Sequence, residues 1–215
     1  MGVSVGLEVP SANCPLCPRL VGYRETNRTA NPAWFNGAVP SFGPLDGRLL
    51  VVGLAPGVRG ANRTGRPFTG DFAGVLLYQT LIKYGFAAGG YGADPADGMV
   101  LRDCRVTNAV RCVPPANLPT PAEITGCNPF LARELAAMPR LRVVLALGGV
   151  SHKAVLRARG LRAGLVAFAH GAVHALPDGL VMVDSYHVSR LNTNTGRLTT
   201  PMFEAVIADI AARLG

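Results

Sequence analysis

Four short, largely apolar runs constrain this chain more than any other feature: Leu49 to Leu54, Val106 to Val110, Val143 to Leu147, and Leu180 to Val183. A strand with one wet face alternates apolar and polar side chains, whereas a run without that alternation must be covered on both faces. Helix-like stretches fill the intervals: Ala73 to Tyr84, Pro121 to Met138 with Thr120 as N-cap, and Val150 to Ala158 after a Gly-Gly turn. A last one runs from Pro201 to Leu214, with Pro in the first turn and Thr200 as cap. Strand and helix in this order predict an α/β chain, doubly wound or a three-layer α/β/α sandwich. Segments 26–47 and 87–98, rich in Gly, Pro, Asn and Asp, are expected to be surface loops inside one domain spanning 1–215.

With 215 residues, 49% of them hydrophobic, the chain can bury one sizeable core without disulfides. No apolar run reaches the ~18–20 residues that span a bilayer. The N-terminal stretch MGVSVGLEVPSANC lacks a basic segment followed by a long apolar one. A cytoplasmic monomer with no membrane partner is the expectation. Of 21 basic residues only Lys83 and Lys153 are lysines, against 13 acidic residues. Guanidinium holds phosphate in a bidentate geometry, so an arginine-dominated excess leans toward nucleic acid, although GC-rich genomes favour arginine as well.

The cysteines are Cys14, Cys17, Cys104, Cys112 and Cys127. An odd number in a chain without an export signal does not suit a disulfide framework. Cys14 and Cys17 form a C-x2-C pair, and Cys112 and Cys127 a wider one. Four thiolates in two groups suit tetrahedral zinc or a [4Fe–4S] cluster. The wide second spacing, with prolines at 15, 18, 114, 115 and 129 suggesting irregular backbone, favours the cluster, with zinc and unligated thiols left open. Cys104 opens an apolar strand and is expected to be a buried small hydrophobe.

Two segments carry chemistry. The first strand ends in Gly-Leu-Ala-Pro-Gly and runs on to Asp71. A glycine-rich loop at the carboxyl end of a sheet strand is where open α/β proteins place ligands. It is neither a dinucleotide fingerprint nor a Walker loop. It carries Arg59, Arg63 and Arg66 for phosphates, Phe68 to stack a base, and Asp71 as a carboxylate. The second segment follows the last strand and holds His187, Arg190, Leu191 and Arg197. It is expected to face the same sheet edge. His152, His170 and His174 are expected to be structural.

GLAPG, GRPFTGD, TNAVRC and SYHVSR…TGRLT, with the cysteine set, together resemble the family 5 (B-type) uracil-DNA glycosylases, from the first cysteine to the final helix. The resemblance implies a three-layer α/β/α sandwich around a central four-stranded parallel sheet. It implies a structural [4Fe–4S] cluster on Cys14, Cys17, Cys112 and Cys127. It further implies a monofunctional DNA glycosylase that hydrolyses the N-glycosidic bond of uracil, and of other deaminated bases such as hypoxanthine, as the first step of base excision repair. The partner is then DNA carrying such bases.

By the same resemblance Asp71 places the attacking water or stabilises the sugar cation, and His187 stabilises the departing base. Phe68 stacks on the extruded base, Asn108 reads its edge, and Gly53, Ala55 and Gly57 line the base pocket. Leu191 is a candidate wedge for the vacated gap. One departure from the wider superfamily is Val58, where relatives place Asp or Asn just after the first motif; broader base tolerance is the expected consequence.

The residues support this chemistry independently. Breaking an N-glycosidic bond requires a carboxylate for the sugar cation and a hydrogen-bond donor for the base anion. Asp71 and His187 supply that pair, and no lysine lies near to form a Schiff base. The alternatives are a non-catalytic, iron–sulfur- or zinc-stapled module that binds damaged DNA, and a two-metal phosphoesterase, for which the clustered carboxylates are lacking.

Overall fold

The apolar runs locate the strands of a parallel sheet. The structure, a computed structural model, describes residues 7–215, so the expectation about the N-terminal stretch falls partly on residues outside it. In chain order the elements are α1 (Pro18–Ala30), β1 (Leu49–Gly53), α2 (Ala61–Thr64), α3 (Phe72–Lys83), β2 (Ala87–Ala88), β3 (Val100–Leu101), β4 (Cys104–Asn108), a 3-10 turn (Pro115–Asn117) and α4 (Pro121–Ala136). They continue with β5 (Val143–Leu147), α5 (Gly149–Ala158), β6 (Val173–Ala175), β7 (Val181–Ser185), α6 (Arg190–Asn194) and α7 (Thr200–Leu214). Among the described residues no helix is long and apolar enough to cross a membrane.

The main sheet runs β4-β1-β5-β7-β6. The first four strands are parallel, and their registers align the carboxyl ends: Gly53 beside Asn108, Leu147 beside Ser185. The expected four-stranded sheet therefore gains a fifth strand, β6, antiparallel to β7 at the edge. Its Val-His-Ala sequence is exposed at both ends, so no apolar run announces it. Pairing with β7 creates it.

Every residue of β1, β4 and β5 is buried, which requires a layer on each face. Leu49 and Val51 join the core under α3 and α7, with Leu77, Leu81, Phe203 and Ile207. Leu50 and Val52 point the other way, against Leu131 of α4 and Val155 of α5. This is the period-2 alternation of a strand read as two apolar faces.

Thr120 caps α4 as expected, and with Glu123 it closes a capping box: its hydroxyl accepts from the Glu123 amide and Glu123 accepts from the Thr120 amide. At α7 the cap is Thr199 rather than Thr200, since its hydroxyl accepts from the Met202 amide. Segment 26–47 is not all loop, because α1 reaches Ala30. That helix buries Arg24 and Asn27 as well as Leu20, so it lacks the apolar stripe by which helices are recognised. Pro18 opens α1 and Pro129 lies inside α4, so two of the prolines near the cysteines are helical.

Polar braces tie the layers at both sheet edges. Glu134 of α4, enclosed against β4, accepts from Arg105 Nε at 2.6 Å, from Thr107 at 3.0 Å and from Arg111. Burial pushes its carboxyl up, but the two guanidinium groups more than offset that and hold it below the usual range. Next to the other edge, Asp184 of β7 pairs with His152 Nδ1 at 2.8 Å and with Nε2 of His174, in the edge strand β6, at 3.0 Å. Both histidines thus have the structural placement expected of them, bracing the strand that leads to His187.

Candidate active site

Three strand ends supply the site. β1 ends at Gly53, where a β-carbon would stand 2.3 Å from Phe68 Cζ and 2.4 Å from Asn108 Oδ1. Only glycine lets those two side chains meet there. Asn108 ends β4, and its Oδ1 is buried with no hydrogen-bond partner. An orphaned acceptor in the interior costs roughly 1–3 kcal/mol, which a ligand donor would recover.

Phe68 has φ 52°, a left-handed conformation that costs a non-glycine residue about 1–3 kcal/mol. Two tyrosines hold it there. The Tyr78 hydroxyl donates to Pro67 O at 2.6 Å, and the Tyr91 hydroxyl to Phe68 O at 3.0 Å. Asp71 is the N-cap of α3, yet its side chain closes no capping hydrogen bond. Burial pushes its carboxyl above the usual carboxylate value, and the nearby amides of Gly74 and Ala73 offset only part of that. Its Oδ1 is also buried without a partner.

His187 follows β7, and its ring lies 6.0 Å from that of Phe68 at 30°. Burial lowers its pKa to about 4, so the imidazole is neutral at pH 7 and carries one N–H donor. Ala55, Gly57, Phe68, Asp71, Asn108 and His187 all line one small pocket of about 40 Å³. It adjoins a cleft of about 730 Å³, which Asp71 and His187 share with Arg59, Arg190 and Leu191. Residues 130 positions apart in places are thus gathered by the aligned strand ends, as the Gly-rich loop and the His segment led one to expect; Gly53 lies just behind, shaping the pocket through Phe68 and Asn108.

The arginines separate into three kinds. Arg59 and Arg190 line the cleft, the latter 5.5 Å from the Phe72 ring. Arg63 and Arg197 are exposed; Arg63 donates to Arg59 O at 2.9 Å, and Arg197 stacks over Tyr186 at 4.6 Å. Arg66 corrects the expectation that it holds phosphate. Its side chain is 5% exposed and forms a bidentate pair with Asp97, at 2.9 and 2.7 Å. Those hydrogen bonds hold the Asp97 carboxyl well below its ordinary range. Segment 87–98, expected to be a surface loop, is thus a clamp on the first motif through Tyr91 and Asp97.

Other site residues escaped the sequence. Gly60 makes room for the carboxylate, since a β-carbon there would stand 2.1 Å from Asp71 Oδ2. Asn117 and Leu118 line the cleft from the loop after β4. The run of prolines around them was the available signal, because so many in one loop fix its shape.

Cys14, Cys17, Cys112 and Cys127 line a single cavity with Leu20, Val110 and Phe130. All are free thiols, and burial raises Cys112 to about 11. Arg24 Nη1 lies 3.7 Å from Cys112 Sγ and donates to Cys14 O at 3.2 Å. Among the described residues, the one group of three or more ligating side chains with atoms within 4.8 Å of one another is His152, His174 and Asp184. The cysteine sulfurs therefore surround a shared space without converging on one point. Cys104 is fully buried in β4, as expected of a small hydrophobe.

Residues 40–211 match the model of the uracil DNA glycosylase superfamily. A type-5 uracil-DNA glycosylase of Thermus thermophilus is 45% identical over 202 residues, covering 91% of each chain. Another, of Pyrobaculum aerophilum, is 42% identical over 94% of this chain and 90% of its own. A third, of Mycobacterium leprae, is 41% identical over 91% of this chain and 89% of its own. With strand order, pocket and these relatives in agreement, the chain belongs to the uracil DNA glycosylase superfamily, among its type-5 members.

Proposed function

We infer that the protein removes uracil from DNA by hydrolysing the N-glycosidic bond, without a covalent enzyme intermediate. The observation that carries this is the meeting of Asp71, Asn108, Phe68 and His187 in one pocket at the strand ends. A base extruded from the stack would lie against Phe68, and the orphaned Asn108 Oδ1 would accept an N–H from its edge. As the C1′–N1 bond breaks, its electron pair leaves with the base. The neutral imidazole of His187 donates a hydrogen bond to that developing anion, a contact worth about 3–4 kcal/mol by comparison with an oxyanion-hole donor. The Asp71 carboxylate faces the sugar cation and orients water; the water oxygen bonds to C1′, and its proton passes to Asp71 and then to solvent. Asn117 is a further polar group in the same cleft. Arg59 and Arg190 would hold flanking phosphates, with Arg63 and Arg197 farther out, and Leu191, 72% exposed, would fill the gap left by the base.

Tolerance of other deaminated bases, hypoxanthine among them, is part of the same proposal. Val58 offers no polar group to reject a changed base edge.

The cysteine cavity fits an iron–sulfur cluster. A single zinc would draw four sulfurs to ~2.3 Å from one point, whereas among the described residues no three of these sulfurs lie within 4.8 Å of one another while all four cysteines line one cavity. Cys14, Cys17, Cys112 and Cys127 would hold a [4Fe–4S] group, with Arg24 offsetting thiolate charge at Cys112. The group would supply structural linkage among α1, α4 and the loop after β4, not bond cleavage.

The test is incubation of the protein with a duplex carrying one uracil, followed by alkaline cleavage. Strand breakage at that site supports the activity. Tight binding without release of free base would favour the non-catalytic module.

A further inference from the structure

We propose that Leu118 is a second apolar probe, which enters the base stack of duplex DNA from the side of the cleft away from Leu191. The proposal rests on the uracil-excising activity inferred above.

Leu118 is 69% exposed, though isoleucines, leucines and phenylalanines of the chain are mostly buried. A scattered exposed leucine is ordinary and needs no explanation. This one lines the same cleft as Asp71 and His187, together with Arg59 and Arg190. Its position is also enforced. Ala116 and Asn117 are consecutive non-glycine residues with φ 54° and 57°, a left-handed turn that costs energy and persists only where its surroundings impose it. Pro114, Pro115, Pro119 and Pro121 fix the backbone on both sides. Arg19 Nη2 donates to Leu118 O at 3.0 Å, and Arg19 is itself held by Glu123 through two contacts of 2.7 Å. The loop is therefore stiff, and it presents one large apolar side chain to solvent beside a cationic cleft.

Topology sets where that side chain meets a ligand. Leu118 follows β4 and Leu191 lies in the first turn of α6, after β7, with β1 and β5 between those strands. Three strand spacings set the ends of β4 and β7 about 14 Å apart. The loops that carry the two leucines thus leave the sheet at separate points and line one cleft, and in this proposal each side chain meets the duplex at its own base step, on either side of the extruded nucleotide. The occupant is the base stack: the arginines of the same cleft suit phosphates, and only stacked bases offer apolar surface next to them. Single-stranded DNA offers no stack to enter, so Leu118 discriminates between the two substrates.

Single-turnover excision of uracil by Leu118→Ala, from duplex and from single-stranded DNA, tests this. The ratio of duplex to single-strand rate is expected to fall by roughly ten- to a hundredfold, the range set by burying one leucine side chain. Leu118→Met, similar in size and apolar, should restore most of that ratio. Because the side chain is exposed, thermal stability should match wild type. In an Asp71→Asn background, 2-aminopurine beside the uracil should brighten less on binding when Leu118 is Ala. An unchanged ratio, or equal loss on both substrates, overturns the proposal. Wild type that releases uracil from neither substrate would instead overturn the activity on which it rests.

Discussion

The Asp71 carboxylate lies so close to Gly60 that a β-carbon on Gly60 would stand 2.1 Å from Oδ2 and 2.7 Å from Cγ. No real side chain tolerates that approach, so the glycine and the carboxylate are one unit although eleven positions separate them.

Gly60→Ala should therefore behave like a loss of Asp71. The carboxylate must swing away or the loop must shift, and single-turnover excision should fall by about 10²–10³, the scale of losing one stabilising group at a reacting centre. Gly22→Ala is the control, since nothing lies within 4 Å of its β-carbon. Wild-type excision by Gly60→Ala would show that the carboxylate does not act from this position.

The pH profile separates the two central groups. Asp71 is raised above its ordinary 3.8 by burial, so the acid limb of the excision rate should lie above that value. It should vanish in Asp71→Asn and persist in His187→Ala at a rate lowered by about 10²–10³. His187 is lowered from 6.5 to about 4, so no limb should appear near the ordinary imidazole value. The sign for stability follows as well. Between 6.5 and 4 the unfolded chain takes up a proton that native His187 refuses, so this residue makes stability fall as pH drops through that window. Single-turnover rates from pH 4 to 9 check the profile, and urea melts of wild type and His187→Ala check the stability term.

Salt dependence should distinguish the arginines. Arg59→Ala and Arg190→Ala should each reduce the slope of log affinity against log salt on duplex DNA by roughly 0.9, one phosphate contact apiece. Arg66→Ala should instead lower stability by about 1.5–3 kcal/mol, because it removes the bidentate ion pair and leaves Asp97 with only the Gly92 and Met99 amides as partners. Fluorescence-anisotropy titrations and thermal melts provide the two readings. A slope change for Arg66→Ala without destabilisation would reverse this assignment.

Protein purified without oxygen should be brown, with iron and sulfide in equal amounts. Cys17→Ser should lose the colour, whereas Cys104→Ser should keep it, since Cys104 lies within β4 and away from the cavity the other four share. Stoichiometric zinc without iron or sulfide would show that the bound group is wrong, and equal loss of colour in both variants would show that the ligand set is wrong.

The sequence by itself determined the four parallel strands and most of the helices, because their signals are local. Runs apolar on both faces demand cover on both sides, and Thr120 just before the first turn of α4 marks its cap. It also singled out the glycine-rich loop and the His187 segment, which the parallel strands bring to the same sheet edge. Tertiary structure alone decided the rest. Arg66 reads as a phosphate ligand until Asp97, 31 residues away, folds back to neutralise it. The helix α1 buries Arg24 and Asn27, and β6 exists only beside β7, so neither leaves a periodic trace. Gly60 and Asp71, or Phe68 and Tyr91, become neighbours only when the first loop closes on itself and segment 87–98 closes over it. A polar side chain is buried or exposed according to whether a partner reaches it, and that partner is fixed by the path of the chain in space.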